Sequence, residues 1–182
     1  MKTLRFRLAA LVFVVCAALG SCTGARTKSP DVSSAIRSSL DQAGLKDVSV
    51  NQDTDKGVVT LGGHVTGAAE KAQAESIAKQ VADGQVVANE IAVIPAGAES
   101  DAKTVNSDLD KGIEKNLDAA LIQNKLNKSV KYDVKNGVVT ITGEVNSQLR
   151  RAHAEKVALS VPNVKQVVNE LQVRNQKATS SQ

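Results

Sequence analysis

Aromatic side chains are almost missing from this chain of 182 residues: Phe6, Phe13 and Tyr132 are the complete set, and there is no tryptophan. Base stacking and sugar stacking both need aromatic platforms. Free thiols are equally scarce, with only Cys16 and Cys22. Charge of one sign is lacking too. The net charge is +4, from 23 Lys plus Arg against 19 Asp plus Glu. Three of those bases, Lys2, Arg5 and Arg7, lie in the first 21 residues, so the rest of the chain carries 20 bases and 19 acids. A protein that tracks nucleic acid by phosphate neutralisation carries a clear basic excess. Nucleic acid is therefore excluded as a partner. Two histidines, His64 and His153, supply no ligand pattern with a carboxylate cluster, so neither a metal nor another cofactor is expected. No Ser-His-Asp set or Gly-x-Ser-x-Gly elbow can be assembled, and the chain reads as no enzyme.

What is present begins with a leader. Lys2, Arg5 and Arg7 precede twelve apolar residues from Leu8 to Leu19. That run is too short for a bilayer span of about 20 residues and has the flanks of a secretory signal peptide. Leu19-Gly20-Ser21-Cys22 then resembles a bacterial lipobox. The resemblance implies cleavage after residue 21 and acylation of Cys22 with diacylglycerol and palmitate. The alternative is ordinary signal-peptidase cleavage near Ala25. Two or more acyl chains anchor stably, whereas one binds only marginally. Thr23, where an aspartate would retain the protein, resembles an outer-membrane address facing the periplasm. Cys16 leaves with the leader and Cys22 is blocked, so no disulfide is expected in an oxidising compartment.

An internal repeat answers the fold question. Residues 57–93 align with 137–173 without a gap, and 15 of 37 positions are identical. Each copy reads as helix, strand, strand, helix, strand. Val32, Ile36 and Leu40 have helical spacing, as do Ala74, Ile77, Ala78 and Val81. Val59, Leu61, Gly63 and Val65 alternate as a strand after the turn Asp55-Lys56-Gly57. In the second copy Ile113, Leu117, Ala120 and Leu121 mark the first helix, and Ala154, Val157, Ala158 and Val161 the second. The expected fold is α+β: two tandem αββαβ units, each a small three-stranded sheet packed with two helices. The organisation is a signal peptide over 1–21, a flexible tether over 22–29, units at 30–94 and 108–174, a polar linker at 95–107 and a disordered tail over 175–182. Units of ~60–65 residues are marginal alone. The two either pack on each other or on a partner, or stand as separate beads.

The pattern Val-x-Leu-x-Gly-x-Val after a turn glycine, an Ala-rich helix, and Val-x-Asn-x-hydrophobic-x-Val resembles the BON domain, twice over. With the lipobox, the chain is similar to dual-BON outer-membrane lipoproteins. The resemblance implies an osmotic-stress or outer-membrane-integrity role and contact with phospholipid.

Repeated polar residues have structural explanations. Glu75 and Glu155 each follow a base by four residues, Lys71 and Arg151, which predicts i,i+4 ion pairs. Asn89 and Asn169 are expected to hydrogen-bond within the last strand. The copies differ in charge: residues 31–94 hold 5 bases and 9 acids, and 108–174 hold 11 bases and 8 acids. Lys125, Lys128, Lys131 and Lys135 gather around the second copy's first two strands. Its second helix carries Arg150, Arg151 and Lys156, and Leu149 and Leu159 fall opposite the core face. An apolar stripe flanked by bases can lie on anionic phospholipid, with Tyr132 as the sole aromatic to seat among headgroups. The leucines could equally dock on the acidic first unit. Two other readings stay open: an adaptor for other envelope proteins, and a periplasmic stress chaperone.

Overall fold

The computed structural model describes residues 28–174. The signal peptide, Cys22, most of the tether and the tail 175–182 lie outside the described residues.

Each copy folds as expected. In the first, α1 (Ser33–Gln42) is followed by the hairpin β1 (Val48–Asp53) and β2 (Val58–Val65), then α2 (Ala68–Val81), β3 (Val86–Asn89) and β4 (Ala92–Val93). The second repeats this as α3 (Glu99–Gln123), β5 (Val130–Lys135), β6 (Val138–Val145), α4 (Gln148–Leu159), β7 (Gln166–Asn169) and β8 (Gln172–Val173). β1 pairs antiparallel with β2, while β3 and β4 both pair parallel with β2. The last strand is thus in two pieces in each unit. They keep one register, Leu61 opposite Asn89 and His64 opposite Ala92, around a break at 90–91.

Periodicity explains the helices. Ile36 and Leu40 are fully buried, with Ala74 and Ala78 facing them from α2. The alanines let the two helices approach over a sheet whose inner side chains are Val59 and Leu61. In the second unit Ile113, Leu117, Leu121, Ala154 and Ala158 meet Val139 and Ile141. Three of the four helix starts receive side-chain hydrogen bonds, while Ala98 at the start of α3 gives none. Asp31 Oδ1 accepts from Ser33 N, and Ser147 Oγ accepts from Arg150 N. Before α2, Glu70 Oε2 accepts from Thr66 N and Gly67 N.

The segment 95–107 departs from its reading as a flexible linker. From Glu99 onward it is the start of α3, which runs 25 residues. No proline or glycine interrupts 99–111, and extending a helix already nucleated on a core costs little. Asp110 ties α3 to the β5–β6 turn, accepting from Asn136 N at 2.8 Å and Gly137 N at 2.9 Å. At the other end of the described chain, Ser29 N donates to Thr54 O and Lys28 pairs with Asp55, so the last tether residues follow the first hairpin.

The two units pack on each other rather than standing as beads. Val58 and Ala88 meet Val138 and Val168, equivalent positions 80 residues apart, in a third small core. Lys56 Nζ lies 2.6 Å from Glu170, and Lys135 Nζ 3.0 Å from Glu90. Asn136 Nδ2 also donates to Glu90 O. The contact is therefore reciprocal, each hairpin turn reaching the other unit's last strand. The hydrogen bond to Glu170 raises the Lys56 ammonium above its ordinary range.

Candidate functional site

Helix α4 turns Ala154, Val157 and Ala158 inward. The opposite face, Leu149, Ala152, Lys156 and Leu159, points to solvent, with Leu149 82% and Leu159 52% exposed. The first unit does not cover these leucines, because its contact is made by the sheets and turns described above. The reading that docks them on the acidic unit is thereby corrected. Beside them runs an open groove of about 480 Å³ lined by Asn146, Leu149, Arg150, His153 and Lys156.

The three bases have different surroundings. Lys156 is exposed on the outer helix face. Arg150 Nη2 donates to Lys125 O at 2.7 Å, joining the start of α4 to the end of α3. Ile122, whose carbonyl accepts from Lys125 N, is 59% exposed at that same helix end. Its signal in the sequence is an apolar residue lying off the Ile113–Leu117–Leu121 core row. Arg151 instead turns toward the sheet: Nε donates to Leu171 O at 3.0 Å and Nη2 to Asn169 O at 2.6 Å. Lys125, Lys128 and Lys131 are exposed. Lys135 is spent on Glu90 across the unit contact.

Arg151 belongs to a motif repeated in both units. Lys71 Nζ donates to Ile91 O, the counterpart of Leu171. Burial lowers the Lys71 ammonium from its ordinary value. The expected i,i+4 pairs with Glu75 and Glu155 are replaced. Glu75 bonds Lys79 and Asn89 Nδ2, and Glu155 takes Asn169 Nδ2 at 2.9 Å. The bond from Lys79, with that from Asn89, holds the Glu75 carboxyl below the usual range. Asn89, 3% exposed, completes its set with a bond from Ile91 N to its Oδ1. A sheet tolerates a buried amide only when its hydrogen bonds are made. Spacing alone could not distinguish a helix-surface ion pair from this helix-to-strand lock.

Tyr132 is not at a surface suited to headgroups. Its ring packs against the second core and its hydroxyl donates to Glu114 O at 3.4 Å. Burial, with Asp118 nearby, pushes its pKa up to about 12 from 10.0. The folded state thus keeps the phenol neutral where the unfolded chain ionises. This contribution to stability is complete below pH ~10 and is lost as pH rises toward ~12. Absorbance titration of this single tyrosine is expected to show ionisation near 12 when folded and near 10 in denaturant.

A further cleft, of about 580 Å³, lies between the end of β2 and the first turns of α3. Lys103, Lys111 and His64 face Asp110 and Glu114 there, so neither sign prevails. Among the described residues, no group of three or more His, Cys, Asp or Glu could hold a metal ion, and no helix is long and apolar enough to cross a membrane.

These features define a class: a duplicated αββαβ module in which a helix-to-strand lock recurs in each copy and an unshared apolar–basic face marks the second. The chain belongs to the BON domain family, whose profile matches residues 29–95 and again 109–175. It is 31% identical over 137 residues to osmotically-inducible protein Y of Escherichia coli (strain K12), covering 74% of this chain and 67% of that protein. Two solved structures of CdsD, a structural protein of the type III secretion system of Chlamydia trachomatis, also align. One is its C-terminal domain, at 13% identity and a TM-score of 0.32, covering 78% of this chain and 66% of that one. The other has the same identity and score and covers 79% and 63%. The chain thus spans just under two thirds of each, and likeness at that level carries no further argument.

Proposed function

We propose that the protein is a non-enzymatic cell-envelope lipoprotein, anchored through Cys22 in the outer membrane and facing the periplasm. Its second BON unit lays the outer face of α4 on anionic phospholipid and so supports outer-membrane integrity or osmotic-stress tolerance. One observation carries this reading: two leucines, 82% and 52% exposed, lie on one helix face with Lys156 between them. The first unit has Ala69 and Lys79 at the corresponding positions. Family membership and the osmotically-inducible relative support an envelope-stress role. Leu149 and Leu159 supply apolar area, and Lys156 and Arg150 the attraction to anionic headgroups. Arg151, bound to two carbonyls, positions α4 on its sheet.

Vesicle co-sedimentation of the Cys22→Ser mature chain tests the reading without the anchor. Binding is expected to phosphatidylglycerol-containing vesicles and not to phosphatidylcholine alone, weakening as salt shortens the Debye length below ~10 Å. The pair Arg150→Glu and Lys156→Glu is expected to lower affinity about 10-fold or more, each base near the surface being worth about 1 kcal/mol. Equal binding to both vesicle types, or none at low salt, overturns the reading.

A further inference from the structure

Val86 and Gln166 form one of the pairs of equivalent positions at which the contact between units differs. In the first unit Glu90 N donates to Leu61 O, and in the second Glu170 N donates to Ile141 O. With Leu61 opposite Asn89 and Ile141 opposite Asn169, parallel-ladder alternation turns residues 88 and 90, and 168 and 170, toward the sheet. Val87 and Asn89, like Val167 and Asn169, present N–H and C=O groups outward. On β3 two of these groups are taken by one side chain: Gln166 Oε1 accepts from Asn89 N at 3.1 Å, and Gln166 Nε2 donates to Val87 O at 2.7 Å. A single amide thus seals the edge of the first sheet.

On β7 the matching groups are Val167 O and Asn169 N. The residue placed to seal them is Val86, which has no donor or acceptor in its side chain and is 47% exposed. Among the described residues, no side chain is seen to bond either group. Beside Asn169 a groove of about 310 Å³ opens, lined by Val58, Val86, Val168 and Leu171 together with the charged Asp55, Lys56, Arg151 and Glu170. Val58 and Val168 also belong to the core between the units, so the groove continues an established interface.

We propose that this groove is a docking site for an extended peptide segment of another protein. Its backbone amide takes, on β7, the place that the Gln166 amide takes on β3, and an apolar side chain rests on Val86 and Val58. An open strand edge accepts such an addition through main-chain hydrogen bonds. Arg151 occupies the carbonyls of Asn169 and Leu171, which limits the contact to a short stretch and makes the expected affinity weak. The inference does not rest on lipid contact by the outer leucines of α4, although Gln148 and Arg151 of that helix line this groove.

The test uses the ¹⁵N-labelled Cys22→Ser mature chain and the probe peptide acetyl-Val-Gln-Val-Gln-Val-amide. Chemical-shift changes are expected at Val86 and over 167–171, with slower exchange of the Asn169 N–H and no change at Asn89. Val86→Gln, which copies the seal on β3, is expected to protect the Asn169 N–H without peptide and to weaken peptide binding at least 10-fold. Gln166→Val is expected to speed exchange of the Asn89 N–H and to create a second peptide response there. Absence of shifts at Val86 and Asn169 in the unsubstituted chain overturns the proposal whatever the variants do. So does undiminished binding by a folded Val86→Gln chain.

Discussion

A chain carrying Leu149→Ser and Leu159→Ser together is expected to lose about 100-fold in affinity for anionic vesicles. Fully burying a leucine contributes about 1.5–3 kcal/mol, and an interfacial helix buries its apolar face only in part, so about 1.4 kcal/mol, or 10-fold, is assigned to each. The loss should persist at high salt, because it removes apolar area and leaves the bases in place. Charge reversal at Arg150 and Lys156 should show the opposite pattern, with its largest effect at low salt. Both leucines are exposed in the folded chain, so stability should move by no more than about 0.5 kcal/mol for each substitution, about 1 kcal/mol for the pair. Unchanged vesicle binding by the double serine variant would remove α4 from the lipid-contacting surface.

The second large effect concerns folding. Gly143 has φ +122°, and a Cβ there would stand 2.3 Å from Ser129 O. Its counterpart Gly63 has φ +85°, with Asp47 O at 2.1 Å from the same imagined atom. Both obstacles are backbone carbonyls of the residue just before the paired strand, so relief requires the hairpin itself to move. Gly143→Ala and Gly63→Ala are each expected to cost about 3 kcal/mol, combining a strained φ with that displacement. A core of this size rarely supplies more than about 3–5 kcal/mol, so the affected unit should keep only about 0–2 kcal/mol. Gly62→Ala is the control: its Cβ would meet only the Ser49 hydroxyl, at 2.7 Å, and the second unit carries Thr142 at this position. Thermal unfolding followed by circular dichroism should show a markedly lowered melting transition for one unit in the first two variants and a shift within about 1 kcal/mol for the third. A native-like melt for Gly143→Ala would refute the steric explanation.

Much of the architecture was legible because its signals are periodic. The repeat at an offset of 80 residues, the helical rows at Ile36–Leu40 and Ala74–Ala78, and the alternation through Val59, Leu61 and Val65 each reflect a geometry that one element imposes on its own side chains. The same holds for the outward leucines of α4, whose positions follow from helix spacing and the placement of the core face. Side-chain partners across elements obey no such period. Lys71 and Glu75 have the spacing of a surface ion pair, yet the lysine goes to the Ile91 carbonyl and the glutamate to Lys79 and Asn89. Arg150 and Arg151 are neighbours in sequence, but a helical step of about 100° sends one along the α3 end and the other onto the last strand.

By itself, the sequence determined the duplication, the αββαβ order of each unit and the family. All are encoded in local pattern or in direct comparison between the copies. Only the tertiary structure decided that 99–107 continues α3 and that the units meet through reciprocal lysine–glutamate pairs. It also decided that Tyr132 lies against a core while Leu149 stands free. Composition made 95–107 read as a linker, but a helix anchored by Ile113 and Leu117 extends through any neighbouring residues that permit it. Pairing between the copies depends on which faces remain after each core is filled, a property of two folded surfaces together that no single stretch of chain contains.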